Sequence, residues 1–394
     1  MRRTSLFFIL AAICATVCLV AQQSTAAETR VLKVGCIDSL TGVMSAGEQP
    51  TYAGAKLAVA WINDKGGITV KGVKYKIELI SEDPKSMPEG AIAACTKLIE
   101  KDKVKFILGG VITPLNVAAN SVTGPAGVLR IADYTVMDPE EADPLTFYSN
   151  STVQGMRPML VYLKEAYPRV KTLAASQPIG GEEYRGKIFR QIAKELGFTV
   201  LVSEGYAMDT VDFTPFVQKL LSGKPDAYLF TDGWAVQAGA QTKVLRGLGY
   251  KGPIMSTDSE IVSELLAITG PQLGDGYASA AWDMTDPHMK PVFKKEFVPR
   301  AVKSGNTDPW QAWGWNTVWI LAQGIESAQS LVPADVAKQL RTMKTVETLF
   351  GPAPIGGGKT FGTGVKSLIC PPQAIFKVKN GKPEFVKWVS TWVP

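Results

Sequence analysis

The residue types that carry acid-base, nucleophilic or metal chemistry are scarce in this chain. Its one histidine, His288, stands beside Pro287 in a polar stretch typical of a solvent-facing loop. Zinc sites and histidine-based catalytic triads need further imidazoles or closely spaced cysteines. Beyond the first 27 residues the sequence offers neither. We therefore expect no metal site and no bound cofactor.

Motifs for phosphate, dinucleotide or acyl-transfer chemistry are also missing. The run 351–360, GPAPIGGGKT, is superficially similar to a phosphate-binding loop, but Ala353 replaces its first glycine and no helix pattern follows. The sequence has no GxGxxG after its first predicted strand and no GxSxG turn. The prediction is a protein that is not an enzyme; an exported hydrolase that uses scattered carboxylates stays open as an alternative.

Cysteine usage argues against a disulfide framework. Cys36, Cys95 and Cys370 follow residue 27, an odd number that leaves at least one thiol unpaired. Cys36 lies in a strand-like apolar setting and Cys95 in a helix-like one. We expect both to be small buried hydrophobic residues.

The N-terminal segment is typical of a secretion signal. Arg2 and Arg3 precede an apolar run over residues 6–21, and small residues follow at 24–27. The run is shorter than the roughly 20 residues that a membrane-spanning helix needs. We predict a signal peptide over residues 1–27 and a soluble periplasmic protein beginning near Glu28.

Size and composition favour two domains with ordinary surfaces. The chain has 394 residues, of which 46% are hydrophobic, enough for two cores. Its formal charge of +6 is spread among interleaved lysines and acids. Nucleic-acid binding would require a concentrated basic face, so no nucleic-acid partner is expected.

Short apolar runs alternate with helical patterns along most of the chain, which is typical of parallel sheets flanked by helices. A first unit ends near residue 131 and a second begins near residue 172. Near the C-terminus, two alternating runs flank Asn380-Gly381, a hairpin signal because both residues tolerate positive φ. The predicted strands are 31–37, 75–80, 104–108, 128–131, 172–175, 199–202, 227–230, 253–255, 374–378 and 384–389.

Four tryptophans near the C-terminal third could stack against a ligand or a sugar. They lie at positions 310, 313, 315 and 319, within a helical pattern that continues through Ile320 and Ile325. Core packing is the better interpretation.

The segment 47–84 carries a family resemblance. It reads GEQPTYAGAKLAVAWINDKGGITVKGVKYKIELISEDP. It follows the polar loop Ser39-Leu40-Thr41-Gly42 and closes on Asp83-Pro84. The segment resembles the type I periplasmic solute-binding proteins of the leucine, isoleucine and valine branch, and the resemblance extends over nearly all of the chain after the leader.

The resemblance implies an α/β fold of two doubly wound, Rossmann-like lobes, joined by a three-crossing hinge with a ligand cleft between them. The crossings are expected near Ser149, Ala281 and Gly351. Lobe 1 would then comprise residues 28–148 and 282–350. Lobe 2 would comprise residues 149–281 and 351–394.

The resemblance also implies ligand-binding residues in lobe 1. Thr113 matches the position whose hydroxyl and amide receive the ligand carboxylate, although Pro114, which follows it, has no N–H to donate. Tyr134 and Thr135 match a loop that supplies a carbonyl and a hydroxyl to the ligand ammonium and carboxylate. Met44 and Ser45 would line the opening loop of this lobe.

In lobe 2 the matching positions are Trp234, Asp258 and Tyr184. Trp234 would cover the ligand, with a core position as the alternative. Asp258 would pair with the ligand ammonium, or else cap the helix that follows it. Tyr184 matches the tyrosine of the first strand-to-helix loop of lobe 2.

The function implied is that of the extracytoplasmic substrate-binding component of an ABC importer. It would bind a small amino acid, branched-chain or related, by lobe closure and deliver it to a membrane permease. A small aromatic carboxylate, an amide or urea remains an alternative ligand. A sensory ligand-binding module is an alternative role.

Overall fold

The computed structural model describes residues 29–135, 137–179, 185–232, 235–259, 262–281, 284–391 and 393–394. The predicted signal peptide lies outside these residues. The described chain forms two α/β lobes, each built on one twisted sheet flanked by helices. This confirms the predicted fold class.

The strands alternate with helices along both lobes, as the periodicity predicts. In chain order they are β1 Thr29–Cys36, β2 Ile68–Val70, β3 Val73–Ser81, β4 Phe106–Leu108, β5 Leu129–Ala132, β6 Thr146–Tyr148, β7 Thr172–Pro178, β8 Thr199–Tyr206, β9 Ala227–Phe230, β10 Ile254–Ser259, β11 Ala278–Ala281, β12 Val346–Thr348, β13 Gly351–Ala353, β14 Ile355–Gly356, β15 Leu368–Ile369, β16 Gln373–Lys379 and β17 Lys382–Val389.

Several helices have a proline as their first or second residue, where it has no N–H to leave unsatisfied in the first turn. The helices are α1 Ser45–Asp64, α2 Pro88–Glu100, α3 Thr113–Thr123, α4 Met156–Ala166, α5 Lys187–Glu195, α6 Thr214–Leu221, α7 Ala235–Gly247, α8 Val262–Leu273, α9 Val298–Ser304, α10 Gln311–Ala328 and α11 Pro333–Thr342. Short turns of 3-10 helix cover Pro139–Glu141 and Thr152–Gly155, and a π-helical turn covers Phe293–Phe297.

The sheet of lobe 1 has the strand order β14-β15-β6-β5-β4-β1-β3-β2. Helices α1 and α10 pack against each other on this lobe. Trp313 and Trp315 of α10 are buried, and the rings of Trp315 and Trp61 lie 5.1 Å apart. Trp310 and Trp319 are partly buried against the same core. The interpretation of the tryptophan cluster as core packing is confirmed.

The sheet of lobe 2 has the order β17-β16-β11-β10-β9-β7-β8. Strands β16 and β17 pair antiparallel around Asn380 and Gly381, whose φ angles are 51° and 72°. Both values lie in the left-handed region, so the predicted hairpin is confirmed.

The chain passes from one sheet to the other three times. It leaves lobe 1 after β6, and returns after β11. The third passage differs from the predicted one near Gly351, because β14 pairs with β15 and Leu368 of β15 pairs in parallel with Tyr148 of β6. Residues 355–369 therefore extend the sheet of lobe 1, and the chain enters lobe 2 only between β15 and β16.

The cysteines and the histidine lie where the sequence predicts. Cys36, Cys95 and Cys370 are all buried and free. His288 lies in an exposed loop, where its ring stacks on Phe385 with a centroid separation of 4.3 Å. In the part of the chain described above, no helix is both long enough and apolar enough to cross a bilayer.

Candidate functional site

The carboxyl ends of β1, β4 and β5 form one edge of the sheet of lobe 1, because these strands are parallel and adjacent. In doubly wound sheets, the loops at such an edge carry the ligand-binding groups. The loop after β4 leads to Thr113, and the loop after β5 contains Tyr134 and Thr135. The structure thus brings the three predicted ligand residues to one edge.

A buried carboxyl group on α1 ties two of these loops together. Glu48 accepts a hydrogen bond from the backbone N–H of Ser39, after β1, and the N–H of Val111, after β4, lowers the pKa of the same carboxyl group. Its side chain is fully buried. Burial, together with the nearby charge of Asp38, raises the pKa of Glu48 to about 7. The amide of Ser39 is therefore already occupied by an acid of the chain itself.

Asp38 and Asp133 form a second buried acidic element at the same edge. Asp38 accepts a hydrogen bond from the Cys36 thiol, 3.4 Å away, and the N–H of Gly110 lowers the pKa of the same carboxyl group. Burial raises the pKa of Asp38 to about 6. Burial and the charge of Asp38 raise the pKa of Asp133 well above its ordinary value. Burial thus favours the protonated form of both acids.

The hydroxyl group of Thr135 is directed to an internal carboxylate. It donates a hydrogen bond to Glu141, which Asn116 Nδ2 also contacts at 3.0 Å. Thr135 and Glu141 are fully buried, whereas Thr113 is half-buried. Burial raises the pKa of Glu141, and the hydrogen bonds from Thr135 and Asn116 oppose this effect.

Asn116 links Glu141 to the rest of the edge. Its amide Nδ2 also donates to the carbonyl oxygen of Tyr134 at 2.9 Å. Its Oδ1 accepts from Arg130 Nη2 at 2.6 Å. Arg130 is fully buried in β5. The carbonyl that the family resemblance assigns to the ligand ammonium therefore already has an internal donor, and the buried charges of Arg130 and Glu141 are connected through one amide.

Met44 and Ser45 lie at the start of α1, and both are half-buried. The N–H of Met44 donates to Ser86 Oγ at 3.0 Å, and Ser45 Oγ donates to the carbonyl of Gly42 at 2.8 Å. These bonds fix the opening loop of lobe 1 against the loop after β3.

The corresponding edge of lobe 2 is formed by the carboxyl ends of β7, β9 and β10. Thr231, after β9, donates a hydrogen bond to Gln177 Oε1 of β7 at 2.7 Å. The buried Arg185 forms an ion pair with Asp232. Sequence reasoning did not predict Arg185, Asp232 or Gln177 as residues of this edge. Only Asp232 had a sequence signal, because it directly precedes Gly233 and the predicted ligand residue Trp234.

The predicted residues of lobe 2 are described less completely. Asp258 belongs to β10, but its side chain lies outside the described part of the structure, as do Tyr184 and Trp234 altogether.

The first crossing connects the two edges. Ser151 bridges to Thr135, and Ser149 Oγ donates to the carbonyl of Asp133 at 2.8 Å. The 3-10 turn that follows packs against β10 of lobe 2. The loop after β5 is therefore joined directly to the segment that carries the chain from lobe 1 to lobe 2.

The acids at these edges do not form a metal site. Over the described ranges, no group of three or more His, Cys, Asp and Glu side chains is arranged to hold a metal ion. The geometry instead gives two polar strand edges linked by a crossing, an arrangement suited to enclosing a small polar molecule.

Comparisons with known proteins agree with this geometry. The chain is 24% identical over 344 residues to the Leu/Ile/Val-binding protein of Escherichia coli K12, covering 85% of this chain and 89% of that protein. It is 26% identical over 346 residues to the leucine-, isoleucine-, valine-, threonine- and alanine-binding protein of Pseudomonas aeruginosa, covering 84% and 87% of the two chains.

Solved structures share the fold. A leucine-binding protein from Thermotoga maritima is 21% identical, with a TM-score of 0.72 and coverage of 91% of this chain and 99% of that one. A solute-binding protein of an ABC transporter from Rhodopseudomonas palustris, in complex with 3,4-dihydroxybenzoic acid, is 20% identical, with a TM-score of 0.71 and coverage of 92% and 97%. The periplasmic binding protein family matches this sequence over residues 31–366, and the chain belongs to that family.

Proposed function

We propose that this protein is the extracytoplasmic substrate-binding component of an ABC importer, which encloses a small amino acid, branched-chain or related, and passes it unchanged to a membrane permease. The observation that carries the proposal is that the loops of Thr113 and Tyr134 meet at the carboxyl-end edge of the lobe 1 sheet, where doubly wound folds bind their ligands. Export to the periplasm, by the leader over residues 1–27, belongs to the same proposal.

Lobe closure supplies the switch. A ligand drives closure only if it binds the closed form better than the open one. The contacts that lobe 2 adds on closing therefore decide how far the ligand shifts the protein to the closed form. In this proposal lobe 1 holds the ligand through the loops of Thr113, Tyr134 and Met44. Lobe 2 completes the site with Tyr184, Trp234 and Asp258.

A small aromatic carboxylate is a second candidate ligand. The observation in its favour is that Tyr134 and Trp234, at two positions that the resemblance assigns to the ligand, are both aromatic. Structural relatives from Rhodopseudomonas palustris with 3,4-dihydroxybenzoic acid and 4-hydroxybenzoate bound give this candidate further support.

A ligand panel separates the two candidates. We expect leucine or valine to raise the melting temperature of the exported protein, because a ligand that binds only the folded state stabilises it. Mass spectrometry of any small molecule released by mild denaturation would identify the natural ligand. Stabilisation by 4-hydroxybenzoate, with no effect of leucine or valine, would replace the first candidate with the second.

Replacing Asp258 with Ala is expected to weaken amino-acid binding by more than about tenfold, because a charge-assisted hydrogen bond to the ligand ammonium is lost in a closed, dry cleft. Isothermal titration calorimetry measures the change. Asp209→Ala is the matched control, since Asp209 is an exposed acid of the same lobe. An affinity equal to that of Asp209→Ala would remove Asp258 from the site.

A further inference from the structure

We propose that lobe 1 carries a second binding site, at the amino ends of its strands, that takes a small aromatic carboxylate. The site is a cavity of about 360 Å³ between the C-terminal turn of α1, strand β2 and helix α10. This volume is within the range of pockets that hold small organic molecules. The site lies outside the interlobe cleft, so it does not depend on the proposed function.

The cavity is far from the predicted ligand loops. Lys74, at its rim, pairs with Thr29 at the beginning of β1, so the cavity lies at the amino ends of the parallel strands. Met44 directly precedes α1, whereas Trp61 lies near the other end of this helix and lines the cavity. At 1.5 Å per residue, roughly 25 Å of helix separates Met44 from Trp61. A molecule in the cavity therefore occupies a site distinct from the cleft.

Small residues leave this space open. Gly67, in the turn after α1, has a φ of 82°, and a Cβ atom there would lie 2.2 Å from the carbonyl oxygen of Tyr75. No side chain fits at this position. Ala322 of α10 also lines the cavity and extends no further than a methyl group. The space beside Trp61 and Trp319 is therefore not filled by the chain itself.

Two tryptophans give the cavity an aromatic wall. The rings of Trp61 and Trp319 meet edge to face, with centroids 5.2 Å apart and an interplanar angle of 81°. Trp61 is buried, whereas Trp319 is half-buried and keeps part of its surface accessible. A flat apolar ring gains both buried area and favourable ring geometry against such a wall. The wall therefore favours a ligand with an aromatic body.

Two lysines give the rim a positive charge. Lys65 Nζ lies 4.2 Å from the ring centroid of Trp61 and forms an ion pair with Glu296 at 3.4 Å. A Cβ atom at Gly66 would lie 3.4 Å from Lys74 Nζ, so this second ammonium group lies beside the turn that borders the cavity. Over the described ranges of the chain, Lys74 has no ion-pair partner.

The acid that lines the cavity does not cancel this charge. Glu326 Oε1 accepts a hydrogen bond from the N–H of Thr69 at 3.1 Å, so this carboxylate is directed to β2. Because Lys65 is already paired, the ammonium group of Lys74 is the one left to receive an anion. A cationic ligand would be repelled by both lysines and would compete with Lys65 for the face of Trp61. The ligand group at the rim is therefore a carboxylate.

The test uses naphthalene-2-carboxylate as the probe. Naphthalene-2-methanol keeps the ring and lacks the charge, so it is the matched ligand. Dissociation constants are measured by ligand-observed NMR for the wild-type protein, Lys74→Glu, Lys76→Glu and Trp319→Leu. Lys76 is an exposed lysine of the same strand that does not line the cavity, so the two lysine variants have the same net charge and differ only in its position.

We expect the wild-type protein to bind naphthalene-2-carboxylate with a dissociation constant of about 1 mM or below, as for a ligand of this size in a partly open cavity. Lys74→Glu should weaken this binding by about tenfold, because an attraction becomes a repulsion. Lys76→Glu should weaken it by less than about twofold. Naphthalene-2-methanol should respond to neither lysine variant, whereas Trp319→Leu should weaken both probes by about fivefold through the lost ring contact.

Three results would overturn the inference. Undetectable binding of naphthalene-2-carboxylate at millimolar concentration would show that the cavity holds no such ligand. Equal weakening in Lys74→Glu and Lys76→Glu would indicate a general attraction of anions to the surface. Unchanged binding in Lys74→Glu and Trp319→Leu would place the probe elsewhere, as in the interlobe cleft.

The exposed position of Lys74 means that its substitution should leave the fold intact. If circular dichroism finds Trp319→Leu unfolded, the two lysine variants decide the result. Each negative result leaves the proposed function in place, because leucine and valine are tested separately through the melting temperature.

Discussion

Gly314→Ala is expected to lower the stability of lobe 1 by about 3 kcal/mol. A Cβ atom at Gly314 of α10 would lie 1.8 Å from the carbonyl oxygen of Thr51 in α1. The contact is reciprocal, since a Cβ at Gly54 of α1 would lie 1.8 Å from the carbonyl oxygen of Gln311 in α10. Backbone atoms cannot rotate aside, so the two helices must move apart. This separation loosens the packing of Trp315 on Trp61.

Thermal unfolding measures the loss, which corresponds to a decrease of roughly 6 to 12 °C in melting temperature for a lobe of this size. The alanine itself favours a helix by about 1 kcal/mol, so the expected loss is net of that gain. Gly247→Ala is the matched control, because Gly247 is an exposed helical glycine with no atom within 4 Å of its added Cβ. Equal melting temperatures for the two variants would show that the helices adapt freely.

Much of the fold follows from local patterns in the sequence. The hairpin at Asn380-Gly381 is specified by two adjacent residues that tolerate positive φ, and α1 stops where Gly66 and Gly67 adopt positive φ. Such signals do not depend on distant partners. The position of the third crossing depends on a distant partner, because only the pairing of Leu368 with Tyr148 assigns β14 and β15 to lobe 1. No local pattern contains that long-range choice.

The candidate site divides in the same way. The positions of Thr113, Tyr134 and Thr135 at one edge follow from strand order, since loops at the carboxyl ends of adjacent parallel strands meet. The hydrogen bonds at Tyr134 and Thr135 depend on Asn116 and Glu141, which reach the edge from other segments. The sequence signal for these buried partners was the charged residue Arg130 inside an otherwise apolar strand. A charge is rarely buried without a partner, so Arg130 indicates polar or charged groups beside it.

Stability should fall as the pH rises from about 4 to 7, because the folded state holds protons that the unfolded state releases. The pKa of Asp38 rises from 3.8 to about 6 and that of Glu48 from 4.5 to about 7, in both cases chiefly through burial. A raised folded-state pKa contributes stability that is fully present below the unfolded value and is lost above the folded one. With about 1.4 kcal/mol for each pKa unit, these two acids change stability by several kcal/mol at most. The titratable or charged groups around Asp38 are Cys36, Glu48, Tyr52, Arg130 and Asp133.

Asp38→Asn should remove part of this pH dependence and should stabilise the protein at pH 8 by about 1 to 2 kcal/mol. The asparagine keeps an oxygen to accept from the N–H of Gly110, and its amide can donate to Asp133. At about pH 3.5 the variant should unfold close to the wild type, because Asp38 is then largely protonated in both the folded and the unfolded state. Chemical unfolding at the two pH values measures both differences, with Asp209→Asn as an exposed control. A variant that is less stable than wild type at pH 8 would mean that the ionised Asp38 holds the ligand loops together, and that its hydrogen bonds outweigh the cost of burying its charge.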